Sequence, residues 1–192
     1  MHLIEVVIHP IDYWARFIAK FSHRRIVLSD RLAVAVAAFV MQMALGSIYA
    51  WSVFSTPIMI QYGISRVATN GIFTIALAAV GVTAGFGGFL QRRYGPRLVA
   101  VAAGAIYGSG VCLAGLAPNL MILYLTHGLM AGVGVGLGYT IPISIMTSWF
   151  PNRIGFATGL AAAGFGMGAI VVSSIAVMML ARMGLRAYLG RA

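Results

Sequence analysis

From residue 32 to residue 54 the chain reads LAVAVAAFVMQMALGSIYAWSVF, 23 residues without one charged side chain. Coiled as a helix rising about 1.5 Å per residue, that stretch measures roughly 35 Å and crosses a hydrocarbon core of about 30 Å. Four further blocks of this kind follow, over about residues 68–90, 98–117, 120–149 and 155–180. The third stops at Pro118-Asn119, and Pro142 stands near the inner end of the fourth. In lipid every backbone N–H and C=O must be paired within the chain, and a helix achieves this inside each block. The predicted fold class is therefore all-α, a polytopic membrane helix bundle of about five transmembrane helices.

Composition agrees. Of 192 residues, 61% are hydrophobic and 8% charged, against about 25% charged in a soluble domain. The net charge of +10 would suggest nucleic acid in a soluble chain. Here the basic residues stand between apolar blocks, which is the pattern of membrane topology, and no nucleic-acid partner is expected. With the N-terminus cytoplasmic, inner segments hold Arg16, Lys20, Arg24, Arg25, Arg31, Arg92, Arg93, Arg97 and Arg153, and the outer loops hold only Arg66. This predicts a multi-pass protein of the cell (plasma or inner) membrane. No small-residue cleavage site follows the first block, so no signal peptide is read. Cys112 is the one cysteine and lies inside an apolar block, where a small packing residue is expected.

Three regions follow from this pattern. Residues 1–30 form a basic N-terminal segment, in which Ile11, Trp14, Ile18 and Phe21 share one helical face and Arg16, Lys20 and His23 another. It reads as a helix in the membrane interface or as a mobile basic tail. Residues 31–180 form the bundle. Residues 181–192 carry Arg182, Arg186 and Arg191, against the charge rule for a segment after five spans, and read as a tail or the start of a sixth span.

The glycines carry the next layer. GVGVGLGY at 132–139 resembles a phosphate loop in composition only. Such a loop needs free N–H groups at a helix start, and inside a span they are already bonded. Small residues four apart instead make a flat stripe on which another helix rests. Gly132 with Gly136, Gly134 with Gly138, and Gly164 with Gly168 are such pairs, as are Gly81/Gly85, Gly104/Gly108 and Gly155/Gly159. A close-packed bundle is expected, in which glycine also permits helices to bend or slide.

Between the second and third blocks stands GGFLQRRYGPR. Gly88, Arg93, Gly95 and Arg97 match the inner-loop signature of the major facilitator superfamily, with Arg92 at the position usually acidic and Pro96 at a basic one. LGSIYAWSVFSTPI, GVGVGLGYTIPI, SWFPNRIGFATGL and GFGMGAIV resemble the first, fourth and fifth spans of the oxalate/formate antiporter family within it. The resemblance implies twelve spans in two lobes with substrate between them, the chain supplying an incomplete six-helix N-terminal lobe. It implies transport of small carboxylate anions (oxalate, formate or monocarboxylate) by alternating access with the missing C-terminal lobe, and no coupled exchange by this chain alone. It also implies that Gly88, Arg92, Arg93, Gly95 and Arg97 form a gating loop; a plain positive anchor on lipid phosphate is the alternative, since Arg92 removes the acid from that network.

Candidates for the substrate path are few. No Lys, Arg, Asp or Glu falls within the five blocks. His127 lies a turn or two into the fourth and can protonate or simply bond a neighbouring helix. The resemblance places the first and fourth spans beside the central cavity, which nominates Tyr49, Trp51 and Tyr139 as aromatic walls and Gln42 as a lone amide. Interhelical packing is the alternative for each. No paired carboxylates, Ser-His-Asp set or metal-ligand cluster is visible, so neither enzyme activity, cofactor nor metal is expected. Other readings are a porter of another anion or metabolite, or a non-transporting membrane subunit. The expected partners are the lipid bilayer and, with both lobes present, a small organic anion.

Overall fold

The computed structural model describes residues 28–189, with side chains over 30–182. The amphipathic reading of residues 10–25 lies outside these. Among the described residues there are helices and no strands, and five helices are long and apolar enough to cross a membrane. They are Asp30–Tyr62, Arg66–Tyr94, Pro96–Ala114, Leu120–Trp149 and Pro151–Arg182, here the first to fifth spans. One end of the bundle holds Arg31, Arg92, Arg93, Arg97 and Arg153 and is called the basic end; Arg66 and Arg182 stand at the other.

Local chemistry ends each span. The first outlasts its charge-free block and stops at Gly63, whose φ of 61° is left-handed and lets its N–H reach the Met59 carbonyl. Ser65 then caps the second span by accepting from the Ala68 N–H at 3.2 Å. The turn between the second and third spans is Gly95 alone, with φ at 83°, and Pro96 takes the first helical position that suits it. Asn119 opens the fourth span by accepting from the Ile122 N–H at 3.0 Å. The fifth helix runs from Ile154 to Leu189 and so carries on past residue 180, where the apolar block ends.

Two irregularities interrupt the long helices. Ser47–Ala50 of the first span winds as a 3-10 turn, and Tyr124–Ala131 of the fourth widens into a π-helix. Both change the phase of the side chains beyond them.

The fourth span is the centre of the packing. Along one face, Gly128, Gly132 and Gly136 lie against the backbone at Ile72, Ala76 and Val80 of the second span. Spacing four meets spacing four, as expected of two parallel helices in ridge-to-groove contact. On another face, Gly134 and Gly138 meet Tyr107 and Ala103 of the antiparallel third span. A separate seam joins the first and fifth spans, where Gly164 lies against Phe39 and Gly168 against Met43. The other pairs named from spacing behave differently. A Cβ added at Gly81, Gly85, Gly104, Gly108, Gly155 or Gly159 would meet nothing within 4 Å. These glycines face away from the described bundle, because four-residue spacing marks a smooth face but not whether a helix covers it. Cys112 is likewise exposed rather than a packing residue.

Three apolar clusters stack along the bundle. Ala35, Ala38, Met146 and Ala157 pack near the basic end, Leu45, Ile48, Ala76 and Val135 in the middle, and Trp51, Ile72, Ala117 and Leu123 near the Arg66 end.

Candidate functional site

The middle of the bundle holds an aromatic cluster built on Phe165. Its ring takes Tyr49 edge-on at 5.6 Å and Tyr139 edge-on at 5.3 Å, and Tyr49 in turn meets Phe73 at 5.5 Å. Such T-shaped pairs set positive ring edges on negative faces and fix the orientation of each ring. Gln42, fully buried, donates from Nε2 to the Tyr139 carbonyl at 3.4 Å. Its Oε1 is buried without a hydrogen-bond partner. A buried amide oxygen left unpaired costs on the order of 1–3 kcal/mol, so this acceptor is a point where a donor would be welcome.

Of the residues nominated from sequence, the structure therefore brings Gln42, Tyr49 and Tyr139 together. Trp51 and His127 are elsewhere. They stack on each other with ring centroids 4.4 Å apart and 30° between planes, in the cluster nearer the Arg66 end. Trp51 Nε1 and His127 Nε2 are both buried without partners. Tyr49 and Trp51 part company because residues two apart on a helix point to nearly opposite faces.

The signature residues sit on helix ends rather than in an extended loop. Arg92 and Arg93 occupy the last turn of the second span, where the helix dipole favours cations. Arg97 lies in the first turn of the third, where the dipole opposes it. The Arg93 guanidinium lies 5.5 Å from the Tyr94 ring centroid. A Cβ at Gly88 would meet nothing within 4 Å.

Two features were missed from sequence. Gln91, 2% exposed, donates from Nε2 to Thr140 Oγ1 at 2.6 Å and accepts from Ser144 Oγ at 2.9 Å. This amide, next to the arginines, fastens the second span to the fourth. Phe165 was the other; the signal was present in GFGMG, where a single aromatic stands among glycines and has room to reach across a seam. Other polar ties also join spans: Ser47 Oγ and Tyr107 Oη are 2.5 Å apart, and the Tyr62 and Tyr124 hydroxyls donate to Ala117 and Ala68 carbonyls at 2.6 Å each.

A profile of the Major Facilitator Superfamily matches residues 32–190. The chain belongs to the major facilitator superfamily. Among curated relatives, the MFS-type transporter YhjX of Escherichia coli (strain K12) is 32% identical over 153 residues, 78% of this chain and 37% of that protein. The oxalate:formate antiporter of Oxalobacter formigenes is 31% identical over 135 residues, 70% of this chain and 32% of that protein. Monocarboxylate transporter 9 of Mus musculus is 28% identical over 153 residues, 79% of this chain and 30% of that protein. The chain thus spans about a third of the length of the curated relatives it matches. The five apolar spans and the superfamily match agree on a multi-pass membrane protein of a transporter family.

Proposed function

We propose that the chain forms one lobe of a transporter for small carboxylate anions, which works by alternating access against a second lobe. The cluster of Gln42, Tyr49, Tyr139 and Phe165 carries this reading. It sets aromatic rings and the Tyr49 and Tyr139 hydroxyls in the middle of the bundle, where they can hold a small planar anion by shape and hydrogen-bond donation, while the Gln42 amide braces the Tyr139 backbone. No cation stands in the charge-free stretches of the spans, so the charge that pairs the anion comes from the second lobe. Relatives described as an oxalate:formate antiporter and a monocarboxylate transporter support this substrate class. The basic end then faces the cytoplasm of the cell membrane, and Gly88, Arg92, Arg93, Gly95 and Arg97 take part in the gate between lobes.

Reconstitution in liposomes tests the proposal. The chain joined to the second half of the oxalate:formate antiporter is expected to take up labelled oxalate, formate or pyruvate saturably, and the 192-residue chain alone is expected not to. Phe165→Ala should raise the half-saturating concentration about tenfold, by loosening two ring pairs worth about 0.5–1.5 kcal/mol each. Saturable exchange by the chain alone, or a joined protein that moves only substrates of another class, refutes it.

A further inference from the structure

We propose that the basic end carries a binding site for an anionic phospholipid, held between the first and fifth spans. These spans press together where Gly164 and Gly168 meet Phe39 and Met43. Toward the basic end larger side chains replace the glycines, and a cavity of about 860 Å³ opens beside them. Arg31, Asn152 and Arg153 line it together with Val36 and Phe39 of the first span and Phe156 and Leu160 of the fifth.

Two observations select the occupant. The first is the apolar wall: Val36 is 53% exposed and Phe156 57%, so the groove calls for hydrocarbon. The second is the charge beside it. Asp30 is the one acid among the described residues, against Arg31, Arg92, Arg93, Arg97 and Arg153 at the same end. The Arg31 and Arg153 guanidiniums offer planar forks that match a phosphate, and Asn152, in the 3-10 turn Pro151–Arg153, lines the same cavity. A small carboxylate has no chain to cover the wall. A zwitterionic lipid brings its own cation to a cationic site. A protein segment needs acids to offset both arginines. A phosphodiester carrying a net negative charge and two acyl chains meets both requirements, and its capture does not depend on which anion is transported.

Native mass spectrometry of the full chain, purified in a neutral detergent, tests this against equimolar phosphatidylglycerol and phosphatidylcholine. Phosphatidylglycerol should be retained at least about tenfold better, since each Lys or Arg near a surface favours anionic lipid severalfold. R31Q/R153Q should weaken its retention roughly thirty-fold, two such charges being lost, while R66Q at the other end leaves it unchanged. R31K/R153K, which keeps the charge, should retain most of it and decides the matter should the glutamine pair fail to fold. Equal retention of the two lipids, an equal loss in R66Q, or displacement of phosphatidylglycerol by millimolar oxalate or glycerol 3-phosphate overturns the proposal.

Discussion

Consider one methyl group added at Gly132. Its carbon would lie 2.6 Å from the Ala76 carbonyl oxygen, 2.9 Å from Ala79 Cβ and 3.0 Å from Ala76 Cα. Two of these three atoms are backbone, so no rotamer change relieves the clash; the second and fourth spans must part. Overpacking of this kind costs about 1–3 kcal/mol. Replacing glycine by alanine within a helix returns about 1 kcal/mol of backbone entropy, which leaves a net loss of up to about 2 kcal/mol. For a chain of this size that lowers the thermal midpoint by up to roughly 8 °C, at about 2–4 °C per kcal/mol. Gly81→Ala is the matched control. It lies on the second span, against which Gly132 packs, and has nothing within 4 Å, so the entropy gain acts alone and the midpoint should hold or rise. The assay is the fraction of monomer surviving a temperature series on size-exclusion chromatography in detergent. Equal midpoints for the two variants would refute the reading of the Gly128, Gly132 and Gly136 stripe as a contact that depends on missing side chains.

Four other outcomes follow from the same geometry. Gln91→Leu removes both ties to Thr140 and Ser144 and should cost on the order of 1 kcal/mol, at roughly 0.6 kcal/mol per interhelical bond, read as a lower thermal midpoint. Trp51→Phe deletes an indole N–H that has no partner while keeping a ring against His127, so stability should hold or rise; a loss beyond about 1 kcal/mol would show that the N–H is satisfied. Gly138→Ala would meet the tips of Leu45 at 3.1 Å and Ala103 Cβ at 3.3 Å; because the nearer neighbour is a flexible side chain, its midpoint should fall less than that of Gly132→Ala. If the basic end is cytoplasmic, a cysteine at Ser65 should be labelled by an impermeant maleimide in intact cells and one at Asn152 should not; the reverse labelling inverts the orientation.

The helix bundle was legible because charge-free length is a nearly sufficient signal when lipid is the solvent. Pro118-Asn119 marked the close of the third span only approximately, since the helix ends at Ala114, and the loop read between the second and third blocks shrinks to Gly95 alone. The two helix irregularities were not legible. Nothing in SIYA or YLTHGLMA demands a change of winding; Gly128 against Ile72 and the Tyr124 hydroxyl on Ala68 are contacts between spans, and only packing reveals them. Trp51 was grouped with Tyr49 because the resemblance nominates whole spans, whereas residues two apart on a helix face opposite ways. Glycine spacing behaved in the same way. Gly132 and Gly81 carry the same four-residue signature, and their neighbours differ because one faces a helix and the other does not.

Two seams therefore share one molecule. The second, third and fourth spans lock through backbone-close glycine contacts, and the first and fifth through Gly164 and Gly168. Both seams are made by absent side chains, so neither holds by interdigitated rotamers. Between them run side-chain contacts: the three apolar clusters, the Ser47–Tyr107 hydroxyl pair, the Trp51–His127 stack, Gln42 on the Tyr139 carbonyl and the Phe165 ring on Tyr139. Side chains rather than close-set backbones therefore meet between the two seams, and the aromatic cluster sits among them. An anion resting on Tyr49 and Tyr139 would contact both units at once, and its binding energy would bear on their alignment rather than on either unit alone.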